Sequence, residues 1–580
     1  MKQKRIYILL FFIMLISLCI NLLGIRWGLP GENIVNLVFG NEKVLNALVP
    51  IMAGTRQEIR QMIKSPGDEY RKDYDENKVI KYSGFKIPLT VGTINAMRTY
   101  LLRTYYPDEH ITLVALSNIN PKEKKFSPKV LIPGCFYVYA TGLWLGMCNF
   151  LQIIKLGDST FYLEHPGELK KVYLSIRILL ILAFLFSIYL VWSISNNLWG
   201  PEVGLVSSFL FGICPALNMW NHFGYYYGFA LPFVLLSFVY GLKIIANRQL
   251  KYYLASAVFA FIAMSVVSLY GVCIIFMIIA GLITVYNEKR EDLYGMLKNI
   301  TLGIAMFIAM VGMIHLFLIL DKETFLKVLK FEGGDFKFSP DFFYFIFASL
   351  KSGAGWPFLL SFIAGYILLC VKKKENSSSI FLITSIILPL VIFSCFSPWY
   401  VRRGIFLMPF MAMFAGIFLI HVIKRSRILG GMLMLLVFTL TFFYSGANTK
   451  IFAQKNVRED AGIWINMNIP EKSKIGMLQM PAPYRTPAFQ FYRYNIIPVL
   501  WDKEKLEKMK PDYFIISEYE TLWQTEETVE DFFLHYYTLK KFQKPASFFG
   551  ITFNRTKFSA KDVWVANPYI VVYKRKYVEE

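Results

Sequence analysis

Residues 172–196 read VYLSIRILLILAFLFSIYLVWSISN, an apolar run with a single charged residue, Arg177. A helix needs roughly 20 apolar residues to cross the hydrocarbon core of a bilayer, so this run predicts a membrane span. The whole chain has 580 residues, is 55% hydrophobic and has a mean hydropathy of +0.44. A soluble protein of this length needs more polar surface, and we therefore expect a polytopic membrane protein.

Similar apolar runs lie on both sides of this segment. Together with it they predict about 11 spans. The other runs are 6–24, 201–218, 224–243, 251–267, 269–286, 298–320, 355–373, 378–397, 403–422 and 428–446. For one further apolar run, 131–153, the distribution of basic residues in the loops decides whether it crosses the membrane.

Short loops rich in Lys and Arg belong on the cytoplasmic side of a membrane. The basic residues of the short loops are Lys243, Arg248, Lys251, Lys289, Arg290, Lys298, Lys372, Lys373, Lys374, Lys424, Arg425 and Arg427. All of them fall on the side of the basic N-terminus only if 131–153 does not cross. We therefore predict an interfacial or re-entrant juxtamembrane helix there.

This pattern predicts four parts in the chain. They are a first transmembrane helix (1–24), a first outer loop with juxtamembrane helices (25–171), a transmembrane helical bundle (172–446) and a soluble tail (447–580). In the tail, 458–467 has a helical pattern, and 475–478, 513–517 and 569–573 have strand patterns. We expect a multi-pass protein of the cell membrane, with a cytoplasmic N-terminus and a small extracytoplasmic α/β domain at the C-terminus.

Composition excludes several kinds of site. The net charge of +22 is explained by basic loops and attraction to lipid headgroups, and no zinc-finger or RNA-binding pattern is present, so no nucleic-acid partner is expected. The seven cysteines lie mostly in apolar runs without a CxxC pair and are interpreted as small buried hydrophobes. No metal ligand or cofactor is assigned. A divalent cation is left open at the acidic residues Asp68, Glu69, Asp73, Asp75 and Glu76, where a solvated charged stretch is the simpler explanation.

The first motif with chemical potential is Tyr105-Tyr106-Pro107-Asp108-Glu109-His110, in the first outer loop. Pro followed by two acids is ordinary at a helix start, where the dipole favours negative charge. The functional interpretation is a carboxylate pair at the membrane surface, in which Asp108 takes a proton from an acceptor hydroxyl.

A second motif, Ser397-Pro398-Trp399-Tyr400-Val401-Arg402-Arg403, places two arginines on the outer side. Contact with lipid headgroups explains them as well as a guanidinium clamp on a phosphate does.

A third motif runs from Asn218 to Tyr227 and includes Asn221 and His222. An aromatic belt explains most of it, while these two side chains are candidates for lining a polar cavity. Arg177, inside a span, is either functional or a structural partner for an acid of the first loop.

These motifs resemble, in order, those of bacterial membrane glycosyltransferases of the C-type superfamily, family 39-like, which include dolichyl-phosphate-mannose protein mannosyltransferases and aminoarabinose transferases. The resemblance rests on Tyr106-Pro107-Asp108-Glu109, Ala115 to Pro121, Phe126-Ser127-Pro128, Tyr137-Val138-Tyr139, Glu164-His165-Pro166 through Arg177, Tyr400 to Pro409, Ala461 to Pro470, Pro511-Asp512-Tyr513 and Asn567-Pro568. It covers most of the chain, although each motif is short.

The resemblance implies a C-type glycosyltransferase fold and a hexosyltransferase with an outer-face active site. A sugar would pass, with inversion, from a polyprenyl-phosphate donor to a protein, lipid or glycan acceptor, and membrane lipids would be further partners. Asp108 would be the base, assisted by Glu109, with Arg402 and Arg403 on the donor phosphate. The residues expected to line the site are Tyr106, His110, Arg177, Asn221, His222 and Tyr400.

The chain departs from the family pattern near the expected acceptor site. Tyr106 stands where the family usually has His, Ser127-Pro128-Lys129 where it often has Asn-Pro-His, and Ile132-Pro133-Gly134 where a Tyr-Pro-Ser element occurs. Three alternatives therefore stay open: a non-catalytic relative, a lipid-linked glycan transporter in envelope polysaccharide assembly, and a different transferase of the same superfamily.

Overall fold

The structure of the protein is a computed structural model. It describes residues 3–62, 76, 78–80, 88–130, 132–287, 293–314, 316, 337–338, 340–371, 377–397, 400–522, 524–555 and 559–576. The acidic candidates Asp68, Glu69, Asp73 and Asp75 and the loop residues Lys289, Arg290, Lys372, Lys373 and Lys374 lie outside these ranges. So do residues 321–336, which belong to a second predicted outer segment, 321–354.

The N-terminal part is an apolar helix long enough to cross a membrane, followed by a helical region that corresponds to the predicted first outer loop. Its elements are α1 (Gln3–Leu22), α2 (Glu32–Phe39), α3 (Glu42–Met62), β1 (Val79–Ile80), β2 (Leu89–Thr90), α4 (Val91–Leu102), α5 (Ile111–Ser117), α6 (Cys135–Phe150) and α7 (Ser159–Glu164). With 16 residues, α6 is shorter than the ~20 that a span needs. Its non-crossing placement remains a prediction.

The following elements, mostly helices, form the membrane body. They are α8 (Pro166–Trp199), α9 (Pro201–Gly212), α10 (Pro215–His222), α11 (Tyr227–Asn247), α12 (Leu250–Val266), α13 (Ile274–Asn287), α14 (Leu293–Ile314), β3 (Lys337–Phe338), α15 (Phe342–Tyr344), α16 (Lys351–Ala354), α17 (Trp356–Val371), α18 (Ser377–Ser394), β4 (Phe396–Ser397), α19 (Val401–Gly404), α20 (Met408–Arg425) and α21 (Arg427–Ala453).

Eight helices of the described chain are long and apolar enough to cross a membrane, and the number rises to 11 if each of three bent helix pairs is one span. Ten of the predicted spans fall on these helices or bent pairs, whereas the predicted span 251–267 falls on α12, an apolar helix of 17 residues that is too short to be counted among them. One bent pair, α2 with the first part of α3, lies in the predicted outer loop and was not expected. The two helices meet at 85°, and neither has enough apolar residues to predict a span alone.

The C-terminal part is a small α/β unit. It contains α22 (Val457–Asn468), β5 (Lys474–Met477), β6 (Asn495–Pro498), α23 (Lys503–Met509), β7 (Tyr513–Ser517), α24 (Glu518–Thr521), α25 (Glu526–Phe532), β8 (Tyr536–Phe542), β9 (Ala546–Phe548), β10 (Ile551–Phe553) and β11 (Ile570–Arg575). Five strands form a mixed sheet in the order β6-β5-β7-β11-β8, in which β5 is parallel to both neighbours and β11 antiparallel to both. The predicted helix and three strands coincide with α22, β5, β7 and β11, which confirms the predicted fold class.

The central strand β7 shows why this sheet is stable. All five of its residues are buried, and successive side chains of a strand point to opposite faces. Phe514 and Ile516 enter a core cluster of the outer domain, whereas Tyr513 and Ile515 enter the main cluster, which continues into the membrane helices. The sheet is therefore covered on both faces.

The seven cysteines are free thiols, as the sequence predicts. Four are buried, but Cys19 and Cys370 are exposed on apolar helices, so the expectation of burial is wrong for these two. Both lie on helix faces that no other part of the described chain covers, where an apolar thiol suits a lipid environment.

Candidate functional site

Asp108 and Arg402 lie together although they are far apart in the sequence. The Arg402 Nη1 atom is 3.6 Å from Asp108 Oδ2. The Asp108 side chain is 34% exposed and that of Arg402 is 24% exposed. Asp108 lies in a turn before α5, and Arg402 lies in the short helix α19 at the start of α20. The two predicted motifs thus form one accessible acid–base pair.

Tyr106 connects the two side chains. Its hydroxyl donates to Asp108 Oδ2 at 3.5 Å and accepts from Arg402 Nη1 at 3.3 Å. The ring is buried and stacks on Phe223, with centroids 4.6 Å apart. Burial, and then the Asp108 carboxylate, hold the pKa of Tyr106 well above its usual range. Tyr106 therefore stays a neutral hydroxyl that fixes the geometry of the pair.

Glu109 lies in a different environment from its neighbour Asp108. It forms a bidentate ion pair with Arg177, whose Nε and Nη2 atoms each donate over 2.8 Å, and both side chains are wholly buried. Arg177 Nη1 also donates to the carbonyl oxygens of Ile25 and Trp27. Arg177 therefore has the structural role that the sequence left open, and the predicted carboxylate pair is split.

His110 follows this turn and is buried. Burial, and then the charge of Arg103, hold the pKa of His110 well below its usual value. The imidazole is therefore neutral at physiological pH.

The second motif is held by a residue that sequence reasoning missed. Asp562, in the C-terminal domain, accepts from the backbone N–H groups of Val401 (3.1 Å) and Arg402 (3.3 Å). Burial raises the pKa of Asp562 to about 6, against the opposing effect of Arg402. The Arg402 guanidinium lies over the Tyr400 ring at 4.2 Å, and Arg403 is buried. The C-terminal domain thereby fixes the helical turn that carries both arginines.

Asn221 and His222 hold helix ends together. Asn221 Nδ2 donates to Asn21 Oδ1 at 2.8 Å, and the two His222 ring nitrogens lie 2.7 Å from the carbonyl oxygens of Asn218 and Leu23. Both residues therefore link α10 to α1, and their hydrogen bonds do not include Asp108 or Arg402. The aromatic part of the same motif does reach the site, since Tyr225 lies 5.2 Å from Tyr106 between ring centroids.

A metal centre finds no support in the part of the chain that the structure describes. Within it, no group of three or more His, Cys, Asp or Glu side chains is arranged to hold a metal ion. Most of the acidic stretch left open for a cation lies outside that part.

No protein-family model and no curated protein matches the chain. Among solved structures it is similar to ArnT from Cupriavidus metallidurans bound to undecaprenyl phosphate, with 12% identity, a TM-score of 0.44 and coverage of 82% of this chain and 95% of that one. It is also similar to the Archaeoglobus fulgidus oligosaccharyltransferase, with 12% identity, a TM-score of 0.44 and coverage of 88% and 75% for the apo form.

Proposed function

We propose that this protein transfers a sugar from a polyprenyl-phosphate donor to an acceptor hydroxyl at the outer face of the cell membrane. The observation that carries the proposal is the accessible pair of Asp108 and Arg402, held by Tyr106 and by Asp562. A carboxylate and a guanidinium a few ångströms apart supply the base and the anion-binding group that such a transfer needs.

In this mechanism the acceptor oxygen attacks the anomeric carbon from the face opposite the phosphate. The bond between that carbon and the phosphate oxygen breaks, and the configuration inverts. Asp108 takes the proton of the acceptor hydroxyl, and the polyprenyl phosphate leaves with the electron pair. The leaving group keeps its charge, so Arg402, with Arg403 beside it, stabilises it electrostatically, by a few kcal/mol, about 3 in a dry site.

The donor phosphate competes with Asp108 for Arg402. In the structure Arg402 lies 3.6 Å from the Asp108 carboxylate. A bound phosphate offers the guanidinium a second, bidentate partner, and the shift of Arg402 toward it leaves Asp108 available to accept a proton. Glu109 cannot share this proton while it pairs with Arg177, so its role is to hold the turn on which Asp108 lies.

The test is sugar transfer in membranes with a panel of polyprenyl-phosphate sugars. Asp108→Asn should abolish release of polyprenyl phosphate, since proton transfer contributes about 10²–10⁴ in rate, while membrane insertion is unchanged. Glu123→Gln is the matched control, because Glu123 is an exposed acid of the same outer loop. Full activity of Asp108→Asn would remove Asp108 from the mechanism.

One observation favours a second candidate, a non-catalytic relative that binds polyprenyl phosphate. Tyr106 stands where the resembling family usually has His, and its hydroxyl is bound to both Asp108 and Arg402. A well-folded protein that binds polyprenyl phosphate but releases none from any donor would favour this candidate.

A further inference from the structure

A polar groove lies apart from the Asp108–Arg402 pair, where three parts of the chain meet. It has a volume of about 930 Å³ and lies between the end of α1, the helix α2, the junction of α21 and α22, and residues 490–493 of the outer domain. This volume is in the range of about 300–1,000 Å³ that is usual for ligand sites, which often lie between domains. Six amide side chains line it: Asn33, Asn36, Gln454, Asn456, Asn466 and Gln490.

One wall of the groove is a fixed hydrogen-bond network. Asn466 Nδ2 donates to the carbonyl oxygen of Leu37 at 3.1 Å, and its Oδ1 accepts from the Gln490 backbone at 2.9 Å. Arg493 Nη1 donates to the Asn466 carbonyl at 3.0 Å and to Gln490 Oε1 at 3.3 Å. These contacts are made without a ligand, so this wall is preorganised.

The facing rim offers hydrogen-bonding groups that are not used. Asn33 and Asn36 are exposed on one side of α2, one turn apart, while the other side of this helix is buried. Within the ranges that the structure describes, the side chains of Asn33, Asn36, Gln454 and Arg26 make no hydrogen bond or ion pair.

The kinds of side chain indicate the ligand. An amide presents a donor and an acceptor side by side, as does a sugar hydroxyl, whereas a phosphate only accepts. Of the three cations that line the groove, Lys455 pairs with Asp460 at 3.4 Å and Arg493 pairs with Glu471 at 3.2 Å, which leaves Arg26, and the lining also contains the acid Glu459. A groove for an anion would leave more of its cations unpaired and would not include a carboxylate.

The groove is separate from the candidate active site but is linked to it through Tyr105. Glu459, at its edge, accepts from the Tyr105 hydroxyl at 3.3 Å, and the next residue, Tyr106, donates to Asp108. We propose that the groove binds an uncharged, hydroxyl-rich carbohydrate chain. Its role as the acceptor side of the transfer rests on the proposed function, whereas the binding itself does not.

The test is binding of maltoheptaose, mannohexaose and chitohexaose to the purified full-length protein. At least one should bind, with an affinity that is unchanged at about 1 M salt, where the Debye length is about 3 Å. Asn36→Trp, which fills the groove from an exposed helix position, should weaken binding at least about tenfold. Asn36→Leu, which only removes the amide, should weaken it less, and Gln249→Trp, exposed at the start of α12, should bind as the wild type does.

Three results would overturn the inference: no binding of any probe to the folded wild type, wild-type affinity in Asn36→Trp, or an affinity that falls steeply with salt, as for an anionic headgroup. Asp108→Asn separates this inference from the proposed function. If this variant and the wild type bind equally and neither transfers sugar, the transferase proposal fails and the carbohydrate site stands.

Discussion

At the scale of single residues, the buried ion pair of Glu109 and Arg177 predicts a large effect of mutation on stability. Removing one charge leaves the other unpaired in a low dielectric, which typically costs about 3–5 kcal/mol. We therefore expect Glu109→Gln to lower the unfolding temperature of the detergent-solubilised protein substantially. Glu168→Gln is the control, since Glu168 forms a more exposed pair with Lys171 on the same helix as Arg177 and should change stability by less than about 1 kcal/mol. Equal unfolding temperatures of the two variants would contradict the prediction.

The raised pKa of Asp562 predicts the direction in which the free energy of unfolding changes with pH. Burial raises its pKa from the ordinary value of 3.8 to about 6, so the folded protein binds this proton more tightly than the unfolded chain does. The contribution of Asp562 to the free energy of unfolding therefore falls as pH rises through this window.

In Asp562→Asn this dependence disappears, while the loss of one of the two acceptors for Val401 and Arg402 N–H is a penalty that does not vary with pH. The unfolding temperature of the variant relative to wild type should thus be higher at about pH 7.5 than at about pH 5. Thermal unfolding of both proteins at the two pH values measures this difference in unfolding temperature. The same difference at both pH values would contradict a raised pKa of Asp562.

The sequence predicts the individual residues of the site better than their arrangement. Asp108 and Arg402 are recognisable from their motifs, and Arg177 from its place in a span. That Arg177 pairs with Glu109, and not with another acid of the loop, depends on the packing of the turn against α8. Asp562 has no motif around it, and its contact with Arg402 exists only once the outer domain has docked.

At the scale of elements, the turn between α10 and α11 is constrained by Gly224. Its φ of +63° is in the left-handed region, and a Cβ atom there would overlap the Glu109 carboxylate. Gly224→Ala should therefore displace Glu109 and reduce both stability and transfer activity. Gly200→Ala is the matched control, since Gly200 also has a positive φ of +93° but no atom lies within 4 Å of the place that its methyl group would take. With a ψ of 170°, backbone strain of about 1–3 kcal/mol is expected there, without a steric overlap.

Thermal unfolding and transfer assays compare the two glycine variants. A larger loss in Gly224→Ala is expected, and equal losses would mean that the contact with Glu109 does not matter.

Element prediction succeeds where the apolar period is long or regular. The spans and the strands β5, β7 and β11 are of this kind. The bent pair of α2 and α3 was missed because each helix has too few apolar residues, and Gly40, with a φ of +76°, interrupts the run between them. Besides the adjacent α3, the helix α2 contacts α4 and α22, and contacts with such distant parts of the chain do not show in a local pattern.

At the scale of the molecule, the proposed orientation can be tested by chemical labelling. The charge pattern places the turn between α11 and α12 in the cytoplasm and the C-terminal domain outside. A membrane-impermeant maleimide applied to intact cells should label Glu530→Cys, exposed on α25, but label Gln249→Cys only after permeabilisation. The native chain gives the background. Labelling of Gln249→Cys in intact cells would show that the topology is the reverse of the proposed one.

The outer domain and the membrane helices share one hydrophobic core. Ile515 and Val572 of the sheet, Ala461 of α22 and Phe452 of α21 belong to the same buried cluster. The sequence predicts a soluble tail from its polar composition, but it does not show this continuity, because the apolar residues concerned are spread singly through the tail. The C-terminal domain is therefore packed against the membrane helices and does not stand apart from them.

The pairing of Arg177 with Glu109 has a consequence for the biogenesis of this protein. Glu109 is synthesised 68 residues before Arg177, and α8 must carry a guanidinium into the bilayer, at about 2.5–3.5 kcal/mol if it is unpaired. In the predicted topology the first loop is translocated, so its Glu109 is available to neutralise this charge as the helix leaves the translocon. Insertion of α8 and shaping of the Asp108 turn would then be coupled, and a nascent chain that fails to integrate this helix would also lack the turn that the proposed transfer needs.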